Sequence, residues 1–156
     1  MNNILWRDIL FGILFIILDI LFFRHLSLFG LHIDPLLFYL LWLIPNYDRL
    51  PLILITAGLA LLQDAAFDYW GMMMFSKTLL IFLIFNPVKA RAENQLLIWQ
   101  IFLFIFAAGI IHNIIFFVLA SFFTAYATNY SPFIIIGGNA FYTALVGSLI
   151  YIFRIR

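Results

Sequence analysis

The chain contains no cysteine and carries few charged residues. The absence of cysteine excludes disulfide bonds, thiolate metal sites and cysteine nucleophiles. Charged side chains make up only 10% of the 156 residues, and the formal net charge is +1. The eight basic residues are scattered between apolar runs and form no continuous stripe. Nucleic-acid binding is therefore excluded as a function.

The short motifs of common catalytic sites are absent as well. No HExxH, GxSxG, P-loop or GxGxxG pattern occurs, and Gly137 with Gly138 lies outside any phosphate-binding frame. No segment combines a nucleophile with a base. We therefore expect a protein that is not an enzyme and that holds no cofactor.

Apolar residues dominate what is present. They make up 67% of the chain, and the mean hydropathy is +1.15, as is typical of an integral membrane protein. A transmembrane helix needs about 20 apolar residues. Charges, prolines and glycines divide the chain into six segments at about 8–24, 35–47, 50–66, 70–86, 96–124 and 132–153. The sequence thus predicts an all-α, polytopic membrane protein, a six-transmembrane-helix bundle formed by one domain, residues 1–156.

The second segment is the least regular of the six. It lies between Pro35 and Pro45 and is short for a complete span. It is therefore expected to be tilted, to be partly re-entrant, or to be extended by residues 28–33.

The basic residues predict the orientation of the chain. With six spans and a cytoplasmic N-terminus, Arg24 is the one basic loop residue on the outer side of the membrane, and Lys77 lies within the fourth span. The basic residues on the cytoplasmic side are Arg7, Arg49, Lys89, Arg91, Arg154 and Arg156. Cytoplasmic loops retain positive charge during membrane insertion. Both termini are therefore predicted to be cytoplasmic.

Two ionisable side chains are expected to meet inside the membrane. Asp64 follows Leu50 by 14 residues, about 21 Å along a helix, and Lys77 follows Trp70 by 7 residues, about 10 Å. In a hydrocarbon core about 30 Å thick, both reach nearly the same depth on adjacent antiparallel helices. We expect an Asp64–Lys77 ion pair, with Asp68 in or beside the connecting turn. The pair is either a structural clasp or the lining of a polar cavity that binds a ligand or a partner.

Other polar residues lie within the apolar segments. Asp19 is near the middle of the first segment, and His112 and Asn113 are adjacent in the fifth. Asp19 is expected to share Lys77, to bond His112 or Asn113, or to be protonated. A proton relay through Asp19, Lys77 and His112 is one interpretation, and interhelical hydrogen bonding is the other. The candidate partner or cavity residues are thus Asp19, Asp64, Asp68, Gly71, Lys77, His112 and Asn113.

The first loop between helices contains His25, His32 and Asp34. These residue types are able to ligate a metal, but two histidines in a short loop are more often interfacial side chains. We expect no metal site.

Small residues recur every four positions in the sixth segment, at Ala140, Ala144 and Ser148, with Gly137 and Gly147 nearby. Such a face lets two helices approach closely. The second helix belongs either to the same bundle or to a partner, including another copy in a homo-oligomer.

The central part of the chain resembles a known family. The stretch IDPLLFYLLWLIP at 33–45 is followed, after a short basic turn, by GLALLQDAAFDYWGMMMFSKTLLIFL at 58–83. This order of features resembles MreD, the rod-shape-determining membrane protein, especially its Bacteroidetes type. Asp64 matches the characteristic aspartate of that pattern, Gly71 its turn glycine, and Pro35 the proline that opens its second helix.

The resemblance implies a non-enzymatic component of the rod or elongation complex in the bacterial inner membrane. It implies binding to an MreC-like periplasmic protein and, through it, to MreB and the RodA-type synthase that polymerises peptidoglycan. The implied role is maintenance of cell shape.

MreD is also similar to the S components of energy-coupling-factor transporters, which share a six-helix architecture. The alternative interpretation is therefore a small-solute, vitamin-type substrate-binding component. S components dock their transducer through an Ala-xxx-Ala pattern in the first helix, whereas the first segment here, ILFGILFIILDILFF at 9–23, contains no alanine. A third interpretation, a protein that handles polyprenyl lipids, lacks a basic cluster outside, where only Arg24 is present.

Overall fold

The computed structural model describes residues 2–23, 25, 30–91, 97–122 and 131–155. These residues form α1 (Asn2–Leu18), α2 (Pro35–Leu43), α3 (Arg49–Phe67), α4 (Met72–Arg91), α5 (Ile98–Ser121) and α6 (Pro132–Ile155). A π-helical turn, Asp19–Phe23, continues α1, and a 3₁₀ turn, Ile44–Asn46, continues α2. Over the described ranges, the predicted all-α class is confirmed.

Four helices, α3 to α6, are long and apolar enough to cross a membrane. They support the prediction of a membrane protein. As regular α-helices the other two are shorter, with 17 residues in α1 and 9 in α2.

The short helix α2 is the centre of the bundle. Every side chain from Pro35 to Leu41 is buried, and so are Leu43 and Ile44. The helix contacts each of the other five helices. With its 3₁₀ turn it is about 20 Å long, which is less than the roughly 30 Å of a hydrocarbon core. The segment predicted at 35–47 is therefore a core helix, enclosed on all sides.

The distribution of side chains suits a lipid environment. Polar residues such as Thr56, Gln63 and Lys77 are buried between helices. Large apolar residues cover the outside, and on α1 these are Ile4, Trp6, Leu10, Phe11, Leu14 and Ile17. In lipid, polar groups gain from contact with one another, and apolar groups lose nothing by facing outward.

The helices α5 and α6 approach each other closely at small residues. A Cβ added to Gly109 would lie 3.1 Å from both Cα and Cβ of Ala140. Ala140 and Ala144 are fully buried, and Ser148 is 7% exposed. The small-residue face of α6 is therefore buried within the chain's own bundle.

Two helices extend beyond their predicted ends by five residues or more. α1 begins at Asn2 and not at residue 8, because the Asp8 carboxylate is buried and accepts a hydrogen bond from the Tyr47 hydroxyl at 2.8 Å. α4 continues through Pro87 to Arg91 and does not stop at residue 86. Pro87 removes one backbone N–H donor from the helix, which nevertheless continues for four more residues.

Replacement of Gly109 by leucine is expected to destabilise the bundle, because the new side chain meets the backbone of α6. Overpacking of this kind costs about 1–3 kcal/mol. Gly137→Leu is the matched control, since a Cβ at Gly137 meets no atom within 4 Å. Thermal unfolding in detergent micelles measures both variants. Equal melting temperatures would contradict the close α5–α6 contact.

Candidate functional site

Asp64 joins the end of α3 to the start of α4. Its carboxylate oxygens accept hydrogen bonds from the backbone N–H groups of Met73 and Met74, at 2.9 and 2.8 Å. Both groups lie in the first turn of α4, where the helix itself supplies no acceptor. A negative charge there also interacts favourably with the helix dipole. Asp64, with 3% of its surface exposed, therefore acts as the cap of α4.

The turn after α3 is tight and strained. Asp68 ends α3 in the left-handed conformation, with φ of 58°, and Trp70 and Gly71 follow with φ of 51° and 86°. Glycine adopts this conformation at little cost, whereas a bulky aromatic residue does not. Trp70 is nonetheless held in it and is 79% exposed. The turn thus presents a tryptophan on the surface next to Gly71.

Lys77 is a charged residue with no exposed surface. Its ammonium nitrogen lies 2.9 Å from Oδ1 and 2.8 Å from Oδ2 of Asp34. It also donates a hydrogen bond to Oε1 of Gln63. An ammonium group has three donors, and these three oxygen atoms surround it. The charge is therefore compensated and hydrogen-bonded inside the bundle.

The expected Asp64–Lys77 ion pair does not form, because Asp64 caps α4 and Lys77 pairs with Asp34. The predicted depth agrees with the structure, since Lys77 reaches α3 at Gln63, the residue before Asp64. Successive residues of an α-helix are rotated by about 100°. Gln63 therefore faces Lys77, while Asp64 faces the backbone of α4.

Gln63 extends the polar network to α1. Its Nε2 donates a hydrogen bond to Oδ2 of Asp19 at 3.0 Å. Asp19 opens the π-helical turn at the end of α1 and is buried, and such turns change the direction in which a side chain points. The buried network, as we call it below, consists of Asp19, Gln63, Lys77 and His112, which are buried, and of Asp34, whose side chain is 17% exposed.

Sequence analysis did not identify Gln63, and it assigned Asp34 to a loop. A glutamine at span depth was one available signal, because a buried amide needs partners. The Asp34–Pro35 step was the other, since an N-cap followed by proline is typical of a helix start. In the structure, Oδ1 of Asp34 accepts a hydrogen bond from the N–H of Leu37 at 2.9 Å.

The adjacent residues His112 and Asn113 contact different neighbours. Nε2 of His112 lies 3.5 Å from Oδ2 of Asp34. Its Nδ1 is buried without a hydrogen-bond partner among the residues that the structure describes. Asn113 donates from Nδ2 to the carbonyl of Ile136 at 3.1 Å. His112 thus belongs to the buried network, and Asn113 ties α5 to α6.

The segment 30–34, termed the strap, is not helical, and α6 binds its backbone. The N–H of His32 donates to Oδ1 of Asn139 at 2.8 Å, and the N–H of Asp34 donates to Oγ1 of Thr143 at 3.1 Å. Four residues of helix rise about 6 Å, which is close to the roughly 6.6 Å spanned by two extended residues. Asn139 and Thr143 therefore fix the strap and, with it, the position of Asp34.

A second polar cluster lies at the other end of α2. The hydroxyl of Tyr39 donates to the backbone carbonyl of Asp8 at 2.6 Å, and Lys89 donates to the carbonyl of Tyr47 at 2.7 Å. The hydroxyl of Tyr47 donates to Oδ2 of Asp8 at 2.8 Å. Both ends of α2 are thus held by polar side chains from other helices.

The three loop residues His25, His32 and Asp34 do not form a metal centre. Within the described ranges, no group of three or more His, Asp or Glu side chains is placed to hold a metal ion. His25 and His32 are exposed, whereas Asp34 bonds Lys77.

Comparisons of the chain with protein-family models, with curated proteins and with solved structures find no match. The resemblance to MreD therefore stays a prediction from the residues at 33–83.

Replacement of Lys77 alone is expected to destabilise the protein more than replacement of Lys77 and Asp34 together. Lys77→Met leaves the Asp34 carboxylate, whose side chain is only 17% exposed, without its cation, at a cost of up to about 3–5 kcal/mol. The double variant, Lys77→Met with Asp34→Asn, has no uncompensated charge, and asparagine retains the N-cap. Unfolding of the two single variants and the double variant completes a thermodynamic cycle. Simple additivity of the two single effects would show that the ion pair does not form.

Asp64→Asn is expected to weaken the cap of α4, because an amide presents one acceptor oxygen to two N–H groups. Loss of a cap costs about 0.5–2 kcal/mol. Asp68→Asn is the matched control, since Asp68 is exposed and asparagine tolerates its left-handed backbone. Melting temperatures in micelles compare the two. A larger loss at Asp68 would refute the capping role of Asp64.

Proposed function

We propose that the protein is a non-enzymatic membrane scaffold of MreD type, which acts in the rod or elongation complex and supports peptidoglycan synthesis and cell shape. One observation carries the proposal beyond the sequence resemblance: Lys77 has no exposed surface, and its contacts are Asp34 and Gln63 of the same chain. The buried Lys77 ammonium thus connects α4 to α3 and to the start of α2. Partners are therefore bound by the outside of the bundle.

The proposed topology has six spans in the bacterial inner membrane, with both termini in the cytoplasm. α1 with its π-helical turn comprises residues 2–23, a length sufficient for a span. Arg7, Arg49 and Lys89 belong to the same end of the bundle, since Tyr47 bonds both Asp8 and Lys89, and Arg49 begins α3 two residues after Tyr47. A basic cluster at one end of a bundle supports a cytoplasmic location of that end.

The proposed partner surface is the outer face of α3 with the turn that follows it. This face exposes Leu61, Leu62, Ala65 and Ala66, and the turn exposes Trp70. Small residues on a helix allow close approach of a second transmembrane helix. The proposed occupant is the single span of an MreC-like protein, which connects the bundle indirectly to MreB and a RodA-type synthase. A homo-oligomer would need another surface than Ala140 and Ala144, which are buried.

The transporter alternative is disfavoured by the surface of α1. Gly12, its one small residue within 9–23, is covered by the Leu59 side chain. The outer face of α1 consists of bulky apolar residues, which do not form a small-residue docking face. Binding of a vitamin-type solute, seen as a raised melting temperature, would favour this alternative over the scaffold.

Single cysteines make the proposed partner surface testable, because the chain has no cysteine of its own. Ala66→Cys places a photo-crosslinker on α3, and Leu149→Cys places the same reagent on the exposed face of α6 as a control. In native membranes, we expect the α3 position to capture a protein with one span and a large periplasmic domain. The α6 position is expected to capture much less of it.

Two outcomes of this crosslinking would contradict the proposal. Capture of an ATPase with a transducer subunit would identify a transporter component. Equal capture of the single-span protein from α3 and α6 would refute the assigned surface.

A further inference from the structure

The side chain of Arg49 points along the membrane-spanning helices and not out of the bundle. Arg49 is the first residue of α3, and its Nη2 donates a hydrogen bond to the backbone carbonyl of Phe82 at 3.0 Å. Phe82 precedes the last residue of α4, Arg91, by nine positions, which is about 14 Å along the helix. Arginine side chains near the end of a membrane helix usually extend outward, toward the interface. The guanidinium of Arg49 lies instead beside the apolar part of α4.

This guanidinium is on the outer surface of the bundle. Its Cζ lies 4.1 Å from the centre of the Phe82 ring, and Phe82 is 50% exposed. Leu50 of α3 and Leu83 of α4 are also exposed. A cation over an aromatic ring is stabilised by the ring, but its charge is not neutralised. Arg49 therefore places a positive charge among side chains that face lipid.

The charge of Arg49 is not compensated within the part of the chain that the structure describes. No described carboxylate forms an ion pair with it, and Asp48, its neighbour in sequence, is exposed. A guanidinium has five N–H donors. One of them is bonded to the Phe82 carbonyl, and Nε is buried without a hydrogen-bond partner in the described ranges. The terminal nitrogens keep donors for an anion, and a charge at this depth is costly unless it is paired.

A second cation lies on the same side of α4. Phe82, Phe85 and Lys89 are separated by three and four residues and therefore share one face of the helix. The Lys89 ammonium lies 5.6 Å from the centre of the Phe85 ring and donates to the carbonyl of Tyr47 at 2.7 Å. Tyr47 precedes Arg49 by two residues. Arg49 and Lys89 thus line one groove between the start of α3 and the end of α4, termed the basic groove.

We propose that the basic groove binds the phosphate of an anionic phospholipid from the cytoplasmic leaflet. The planar guanidinium of Arg49 presents N–H donors that match two oxygens of a phosphate. Lys89 adds a second positive charge nearer the membrane surface. Basic pockets between transmembrane helices on the cytoplasmic side suit anionic head groups. The proposal rests on the orientation proposed above, which makes this end of the bundle cytoplasmic.

The surroundings of the basic groove favour a lipid over an acidic side chain of a partner helix. Small residues favour close approach of a second helix, whereas Leu50, Phe82 and Leu83 are bulky and exposed. Such side chains suit flexible acyl chains. The small residues of the proposed partner surface, Ala65 and Ala66, lie at the other end of α3. A phospholipid therefore supplies both the anion and the apolar contact.

Native mass spectrometry tests the proposal, with the protein in detergent titrated with phosphatidylglycerol or with phosphatidylcholine of the same acyl chains. We expect the wild-type protein to bind phosphatidylglycerol at least about fivefold more tightly. Arg49→Gln is expected to lose most of this preference. Arg91→Gln is the matched control, because it removes the same charge from the exposed end of α4, and it should keep the preference. Equal losses in the two variants would show attraction to net charge alone and would overturn the proposal.

The lipid preference of the wild-type protein does not depend on any variant folding. Equal affinities for the two lipids would overturn the proposal and make an acidic side chain of a partner the anion that Arg49 meets. Lys89→Gln, which keeps a donor for the Tyr47 carbonyl, tests the basic groove from its other side. It is expected to weaken phosphatidylglycerol binding severalfold, and an unchanged affinity would contradict a groove formed by both cations. No partner protein takes part in these measurements, so their result is independent of the scaffold function.

Discussion

The ion pair between Asp34 and Lys77 is the interaction on which the rest of the bundle depends. A helix of nine residues is shorter than the hydrocarbon core is thick, so both ends of α2 lie among other helices and not at the membrane surface. Its first N–H groups then require an acceptor inside protein, and its preceding strap requires partners for its amides. Asp34 meets the first need, and Asn139 and Thr143 meet the second. Lys77 holds the carboxylate in place.

A buried charge pair of this kind specifies an arrangement more than it adds stability. Removal of two charges from water costs about as much as their attraction returns. Any other rotation of α4, however, would leave Lys77 without an acceptor, at a cost of several kcal/mol. Rotation of α3 would likewise separate Gln63 from its two hydrogen-bond partners, Lys77 and Asp19. The network therefore selects one packing among many that would bury the same apolar surface.

The helical class and the four long helices follow from composition and from the spacing of charges, glycines and prolines. The depth of Lys77 beside the end of α3 also follows from counting residues. The partner of Lys77 does not follow from counting residues. Counting gives the depth of a residue, which depends on helix rise, whereas the choice between Gln63 and Asp64 depends on the rotation of α3 about its axis. The role of Asp34 depends on α2 being short and enclosed. Periodicity carries no signal for this, since α2 is apolar all round.

The account is tested most directly by identifying the carboxylate bonded to Lys77. Lys89→Arg leaves Lys77 as the one lysine of the chain, so ¹⁵N at Nζ and ¹³C at the aspartate carboxyl groups report this contact by solid-state NMR dipolar recoupling. A strong short-range coupling is predicted in this protein. Asp34→Asn should abolish it, and Asp64→Asn should leave it intact. Loss of the coupling in Asp64→Asn, with survival in Asp34→Asn, would contradict the account and restore the pair expected from depth alone.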